Sequence, residues 1–336
     1  MSTVKTSNIQ NAGSTTVNLA LDTSGNATCG GVVSMASSFL RNRLINGNFA
    51  WWGRSTSSTG TGYTTADRWV NANTNSIALS TDTPSGAGFL YSVEFSSNTA
   101  TFPYITQRIE AANCTDLAGK VVTLSFWAKN VSGASTLVAQ TSYANTVDTF
   151  SSSTLIGSFV STGASPSSAW TFYSGSVTLP ASAANGIDIQ IYRGNAAAAT
   201  TRITGVQLEV GSIVTPFERR LVGLERLLCE RYFTASLITG ATTFSVNDGS
   251  SVGMCHPTAI FRFGVQFRTP MRIAPAITTY DAAGNANKHS YYTSTWNNNG
   301  TFGAFAPNAT YTGFYCGHNI ASSVETQFIF RADAEL

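Results

Sequence analysis

Gly249, Ser251 and Gly253 form a G-x-S-x-G match, and His256 follows three residues beyond the second glycine. A serine nucleophile of that kind must stand on a sharp strand-to-helix turn with an imidazole free to take its proton. No helical periodicity follows Ser251, and Pro257 comes directly after the histidine, so the match is read as accidental. Cys255 with His256, and Cys316 with His318, supply thiol and imidazole groups of the type that hold tetrahedral zinc. Adjacent residues on a strand point to opposite faces, so Cys255 and His256 cannot share one centre without a bend, whereas Cys316 and His318 can face the same way. Packed thiols and surface imidazoles are the default expectation, with no metal and no cofactor.

Two further chemistries concern sugars. Cutting a glycan needs two carboxylates set roughly 5 to 9 Å apart. The chain has 17 acidic residues, and no pair of them falls in an evident aromatic-lined cleft. The repeated coils of a parallel β-helix are also missing. Binding a glycan requires less: aromatic rings to meet the flat C–H faces of the sugar, and planar amides to donate to and accept from its hydroxyls. Tyr291, Tyr292, Trp296, Asn297, Asn298 and Tyr311 offer that mixture and are the candidate ligand-binding residues, with Trp296 the most exposed because three asparagines follow it. The competing expectation is that these aromatics fill a core. No catalytic residue is assigned, and the chain is expected not to be an enzyme.

The elements that would position such residues are strands. From Arg41 to about Phe217, short runs rich in Val, Ile, Thr, Phe and Tyr alternate with Gly, Ser and Asn clusters. Ile187, Ile189 and Ile191 fall on one face of such a run, with Asp188, Gln190 and Tyr192 on the other. Val121–Lys129 is expected to alternate in the same way. Many such strands imply a sandwich. A second β-region runs from Thr234 to Leu336, and its polar segment from Asp281 to Gly300 is expected to be a long exposed loop, where binding residues concentrate. One helix is expected from Thr215, where Thr-Pro-Phe-Glu reads as a capping box. Leu221, Leu224, Leu228 and Tyr232 then form its apolar stripe, with Arg219, Glu225, Arg226 and Glu230 left wet. The stripe packs on its own domain or meets sister helices at an axis. At the N-terminus, a short strand in VNLAL precedes a turn signal at Asp22–Asn26 and a glycine pair, Gly30 and Gly31.

Composition bounds the class. Only 11% of the 336 residues are charged, 43% are hydrophobic, and 6 Trp, 12 Tyr and 20 Phe are far too many for a disordered chain. A net charge of +2 with no basic run excludes a nucleic-acid reading. No apolar run is long enough to span a membrane, and MSTVKTSNIQ lacks the pattern of a signal peptide, so synthesis in a cytoplasm without membrane insertion is expected. Cys29, Cys114, Cys229, Cys255 and Cys316 are odd in number and scattered, which argues for buried thiols rather than a disulfide framework.

Several segments resemble a bacteriophage tail-fibre module. They are NRLINGNF from Asn42, TADRW at Thr65–Trp69, ITQRIE at Ile105–Glu110, LAGKVVTLSFWAK at Leu117–Lys129, and GVQLEVG running into PFERR and CERYF. The resemblance covers roughly residues 41 to 233. It implies a carbohydrate-binding-like, jelly-roll-like β-sandwich in a virion tail fibre, homotrimeric, made in the host cytoplasm. Calcium in a loop of carboxylates is a feature of such sandwiches, but no dense ligand run marks it here. The family-like residues Asn46, Asn48, Asp67, Arg68, Gln107 and Glu209, and the tryptophans 51, 52, 69, 127 and 170, are assigned to core or subunit contacts. Asp67, Arg68, Arg108 and Glu209 are expected to form buried pairs that hold the sandwich together.

The expected organisation is all-β. An N-terminal attachment and oligomerisation arm (1–40) leads to a jelly-roll-like sandwich (41–217), a helical connector (218–233) and a C-terminal β-sandwich (234–336) that is the candidate receptor-binding tip. The expected role is adsorption to a host surface polysaccharide, with other tail or virion proteins held through the arm. The alternatives are a purely structural tail or capsid connector and a glycan depolymerase.

Overall fold

A computed structural model describes residues 8–9, 19–21, 27–29, 40–74, 76–97, 102–194, 198–237, 241–246, 251–253, 261–302, 305–318 and 325–336. The described residues are mostly β, and the chain divides into two compact units, Met1–Leu40 and Arg41–Leu336. In the first, β1 (Asn8–Ile9), β2 (Leu19–Leu21) and β3 (Ala27–Cys29) make an antiparallel sheet in the order β1-β2-β3. Leu21 pairs with Ala27, while the turn signal between them and the glycine pair lie outside the described residues.

The second unit opens with β4 (Ser57–Ser58), β5 (Val70–Ala72), β6 (Ser76–Ser80), β7 (Ser92–Ser97), β8 (Tyr104–Ile109) and β9 (Val121–Ser132). They are followed by β10 (Leu137–Thr146), β11 (Thr149–Ser161), β12 (Thr171–Thr178), β13 (Ile187–Arg193) and β14 (Ala199–Val210). These build a five-stranded sheet, β11-β10-β13-β8-β5, and a six-stranded one, β12-β9-β14-β7-β6-β4. Almost every connection from β7 to β14 crosses from one sheet to the other, the sheet-switching course of a jelly-roll-like sandwich.

Alternation explains the packing. Ile187, Ile189 and Ile191 point inward and are fully buried, and they meet Val122, Leu124, Phe126 and Ala128 of β9 in one core. Each large aliphatic side chain so buried contributes about 1.5–3 kcal/mol. In β9 the alternation expected from the sequence is masked, because Thr123 and Ser125 on its other face are buried as well.

Residues 41–56 contain no strand, yet Leu44, Phe49 and Trp52 are buried. An irregular buried chain cannot satisfy its own peptide groups, so side chains must do it. Asn46 donates through Nδ2 to the carbonyls of Trp51 and Asp67 and accepts the Trp51 N–H. Gln107 and the Ile45 peptide exchange two hydrogen bonds, both 2.7 Å. Asn42 Oδ1 accepts from Leu44 N–H and from Leu208 N–H on β14, each at 3.0 Å. Phe49 adopts a φ of +52°, strained for a bulky residue, and is held against Trp69 with ring centroids 5.1 Å apart.

The helix begins later than the sequence suggests. Among the described residues α1 (Val222–Glu230) is the one α-helix, with Leu221 as its N-cap and no side-chain cap. Residues 215–221 are drawn instead into tertiary bonds. The Thr215 N–H and hydroxyl both donate to Glu209, at 2.9 and 2.5 Å, and the Glu218 N–H donates to Gln207 Oε1 at 2.7 Å. Glu218 in turn accepts the Asn42 N–H at 2.7 Å. The stripe is also displaced: Leu221 is 81% exposed, Leu224 and Leu228 are half-buried, and only Tyr232 is fully inside. Glu230, expected to be wet, is buried between Arg226 and Arg268 at 2.7 and 3.1 Å.

Beyond α1 come β15 (Phe233–Ala235), β16 (Ser251–Gly253), β17 (Phe261–Gln266), β18 (Ala276–Tyr280) and β19 (His289–Tyr292). The last four strands are β20 (Trp296–Gly300), β21 (Phe305–Thr310), β22 (Gly313–His318) and β23 (Glu325–Asp333). Strand β23 is the hub: it pairs with β15 and β18 along one half and with β16 and β19 along the other. Phe328, Phe330 and Ala332 of β23 pack on Phe314 and Cys316 of the β17-β22-β21 sheet, which makes the expected second sandwich.

The family-like charges find partners the sequence did not suggest. Fully buried Asp67 accepts from Gly53 N–H at 2.7 Å and pairs with Arg54 at 3.1 Å. Arg54 also reaches Asp333 and Glu335, and Arg68, 1% exposed, pairs with Glu335. Arg108 donates to the main-chain oxygen of Leu336 rather than to an Asp or Glu side chain, and Glu209 pairs with Arg41 at 3.5 Å. The end of β23 and the residues after it thus neutralise guanidinium groups of the first sandwich.

Two outcomes follow from ion pairs, the first at Glu335 and the second at Asp82, which pairs with Lys129 and Arg202. Glu335→Ala leaves Arg68 buried without its carboxylate and is expected to lower unfolding stability by about 3 kcal/mol in urea denaturation; a loss below about 1 kcal/mol would show that the pair behaves as an exposed one. Asp82 gives a pH signature. Burial alone would raise its carboxyl, but hydrogen bonds from Lys129, Trp170 and Arg202 outweigh burial and hold it at about 2. A depressed folded value means the stabilisation is complete above the ordinary value of 3.8 and is lost as pH falls toward about 2. Thermal midpoints of the wild type should therefore fall more steeply over that window than those of Asp82→Asn.

Candidate functional site

The outward face of the five-stranded sheet carries side chains in rows. Register sets Tyr192 of β13 beside Tyr104 of β8 and Val138 of β10, and the next row sets Gln190 beside Thr106 and Gln140. A third row holds Ser142, Asp188 and Arg108. The rows form because β13 sends Ile187, Ile189 and Ile191 to the core, which leaves its alternate positions outside.

Polar contacts hold this face in place. Gln140 Nε2 donates to Gln190 Oε1 at 2.8 Å, and the Tyr192 hydroxyl donates to Gln140 Oε1 at 3.3 Å. Phe102, 49% exposed, stands edge-on to Tyr192 with centroids 6.1 Å apart and planes at 72°. Asn73 Nδ2 fixes the Phe102 carbonyl at 3.2 Å. Together they line an open groove of ≈ 530 Å³ whose wall continues through Thr136 and Ser161. Among the described residues the Gln190 amide nitrogen donates to no partner, so it and the outer edges of Tyr104 and Tyr192 face the groove. None of the groove-lining residues is a carboxylate. Asp188 lies one row along, where burial raises its carboxyl while the Ser142 N–H, 3.0 Å away, opposes the rise.

The residues singled out in the sequence lie elsewhere. The segment from Asp281 to Gly300 is not a long loop, because β19 and β20 pair as a hairpin with Tyr291 opposite Asn297 and Tyr292 opposite Trp296. The Asp281 carboxylate organises its base by accepting N–H groups of Ala283, Asn285 and Asn299 at 3.0, 2.8 and 2.6 Å. Burial opposes ionisation there, but the Asn285 side chain and these N–H groups outweigh it and hold the carboxyl below its ordinary range. Tyr292 and Trp296 meet edge to face at 5.6 Å, and both are half-buried. Asn297 bonds within the turn to Thr293 and Thr295, and Asn298 Oδ1 accepts from Ser290 at 2.7 Å. Tyr311, 59% exposed, stands in the turn between β21 and β22, on the other sheet.

Of the tryptophans, Trp52 and Trp69 are buried in the core, while Trp51, Trp127 and Trp170 are half-buried. Cys114, Cys229 and Cys316 are buried free thiols, and burial pushes Cys114 and Cys316 up to about 12. Gly249, Cys255 and His256 lie outside the described residues, as do the side chains of Cys29 and His318; Ser251 lies in the short strand β16, paired opposite Phe328. Among the described residues no group of three or more His, Cys, Asp or Glu side chains could hold a metal ion. The groove itself had one visible signal, the outward set Asp188, Gln190 and Tyr192, but nothing in the sequence placed Phe102, Tyr104 and Gln140 beside it.

No family model matches the chain, and no curated protein matches it. Among solved structures it is similar, at low identity and over part of its length, to a phage tailspike domain and to several carbohydrate-binding modules. The tailspike is the enzymatically active domain of bacteriophage CBA120 tailspike protein 4, at 19% identity and TM-score 0.33, covering 51% of this chain and 22% of that one. The C-terminal family 22 carbohydrate binding module of Clostridium thermocellum Xyn10B is 14% identical at TM-score 0.35, covering 44% of this chain and 88% of that one. TmCBM61 in complex with beta-1,4-galactotriose is 16% identical at TM-score 0.32, covering 51% and 99%.

Proposed function

We propose that this chain is a glycan-binding virion protein, a phage tail fibre that adsorbs to a bacterial surface polysaccharide without cutting it. One observation carries the reading: an exposed sheet face on which Phe102, Tyr104 and Tyr192 stand beside the amide pair Gln140–Gln190. A sugar ring lays its C–H face on an aromatic edge or face and exchanges hydroxyl hydrogen bonds with amides that both donate and accept. Strands hold Tyr104, Tyr192 and both glutamines more rigidly than loops would, so little ordering is lost on binding. Hydrolysis needs two carboxylates about the bond, and the groove offers none.

The tail-fibre setting is supported by the sequence resemblance over residues 41 to 233. In that setting residues 1–40 are the arm that joins other virion proteins, and three copies on one axis would raise avidity by about 10²–10⁴ over one site. No described helix is long and apolar enough to cross a membrane.

The decisive measurement is binding of labelled full-length protein to host cells, with competition by soluble host polysaccharide. Tyr192→Ala and Gln190→Ala are expected to weaken binding roughly tenfold each while leaving the thermal midpoint nearly unchanged. Loss on Trp296→Ala instead, with both groove variants intact, would move the site to the β19–β20 hairpin. Absence of binding by the folded wild type would favour a structural connector, and release of soluble saccharide from host polysaccharide would make the protein a depolymerase.

A further inference from the structure

The opposite face of the first sandwich has its own pocket, of ≈ 530 Å³, and its walls are built differently. Trp127 of β9 and Phe172 of β12 form one wall, with ring centroids 5.3 Å apart. Phe89 and Phe217 form the other, edge to face at 5.1 Å. Arg219 stands at the rim, its guanidinium 4.8 Å from the Phe89 centroid and 5.9 Å from that of Phe217.

Two glycines make this arrangement feasible. Gly205 has a φ of +65° at the bulge in β14, and a Cβ there would sit 2.5 Å from the Phe89 ring, so only glycine lets that ring lie against the sheet. Gly88 has a φ of +73°, and with Ala87 it turns its carbonyl toward Arg219, accepting from Nη1 at 2.8 Å. A Cβ on Gly88 would come within 3.1 Å of the guanidinium. The cation is thus anchored through two of its five N–H groups, while among the described residues no carboxylate pairs with it. An exposed arginine is usually free to move; this one is tethered by carbonyls, lies over two rings, and keeps three donors for a partner.

We infer that this pocket is a second binding site, which takes a sugar bearing a carboxylate. The pyranose ring lies against Trp127 and Phe172, and its carboxylate accepts from the remaining N–H groups of Arg219 in a charge-assisted pair. The site is on the sheet opposite the groove and stands whether or not the groove binds a neutral glycan.

The test uses full-length protein and three probes, glucuronate, glucose and acetate, in saturation-transfer and titration NMR. Glucuronate is expected to bind saturably and in preference to both others, more weakly as salt is raised because the pair is exposed. Arg219→Gln is expected to weaken it roughly tenfold or more, with Trp127→Ala also weakening it and Tyr192→Ala leaving it unchanged. Trp127 stands on β9, so Trp127→Ala tests the assignment even if Arg219→Gln disturbs the Ala87–Gly88 turn, and an unchanged glucuronate affinity in Trp127→Ala would overturn it. Equal binding of glucose, or competition by acetate as strong as by glucuronate, would overturn the assignment, as would no saturable glucuronate binding by the wild type. Loss of glucuronate binding in Tyr192→Ala would place the acidic sugar in the groove and overturn it too.

Discussion

Peptide groups buried in irregular chain must find partners away from water, and residues 41–56 impose that requirement on the rest of the protein. The answer is a set of short planar side chains, Asn42, Asn46 and Gln107, each doing the work of an adjoining strand. Indole donors join in: Trp69 Nε1 bonds the Asn46 carbonyl at 3.1 Å and Trp52 Nε1 that of Phe49 at 2.6 Å. Through Asn42 the segment is tied to β14, and through Gln107 to β8, so one stretch of coil is stitched to both sheets. Replacing any of these amides with a hydrocarbon of similar shape would strand a buried donor or acceptor, which costs more than the hydrogen bond itself contributes.

Strong alternation was legible. The isoleucines of β13 lie inward as their spacing requires, because a strand with one face in a core has only one register that buries them. Two local signals misled for a shared reason. Thr215–Glu218 has the composition of a helix cap, but Glu209 and Gln207, brought alongside by β14, offer its hydroxyl and N–H groups better partners than a helix end does. The Asn-rich stretch after Asp281 has the composition of a loop, yet β23 supplies an open edge on which Ser290–Tyr292 can pair. In both cases a distant element decided, and local propensity is weak against tertiary context. Of the charged residues in the family-like motifs, Asp67, Arg68 and Glu209 are buried in ion pairs as expected, but the carboxylate that meets Arg68 is Glu335, in a part of the chain with no such motif. The groove was hidden likewise, since it exists only once β8, β10 and β13 are placed side by side.

The first sandwich therefore separates its polar residues by task. Those between and beneath the sheets, such as Asn46, Asp67 and Gln107, are buried and engaged by the backbone or by guanidinium groups, out of a ligand's reach. Those on the outer faces are anchored through one side only. Gln190 accepts from Gln140 and leaves its own donors outward, and Arg219 donates to two carbonyls and keeps the rest of its fork exposed. Anchoring of that sort fixes a side chain's direction without consuming its chemistry, which lowers the entropy lost when a ligand arrives.

The Arg54 and Arg68 pairs span 279 and 267 residues of sequence to Asp333 and Glu335. A ribosome adds about 5–20 residues each second, so the first sandwich is made in full well before its counter-charges leave the exit tunnel. During that interval the nascent sandwich would have to bury two guanidinium groups beside a single aspartate, or leave that corner open. The native corner can close only when β23 docks, so the first sandwich is completed after the strands of the second have been made rather than before them. A chain stopped before β23 would carry a sandwich with a wet, positively charged seam at Arg54 and Arg68.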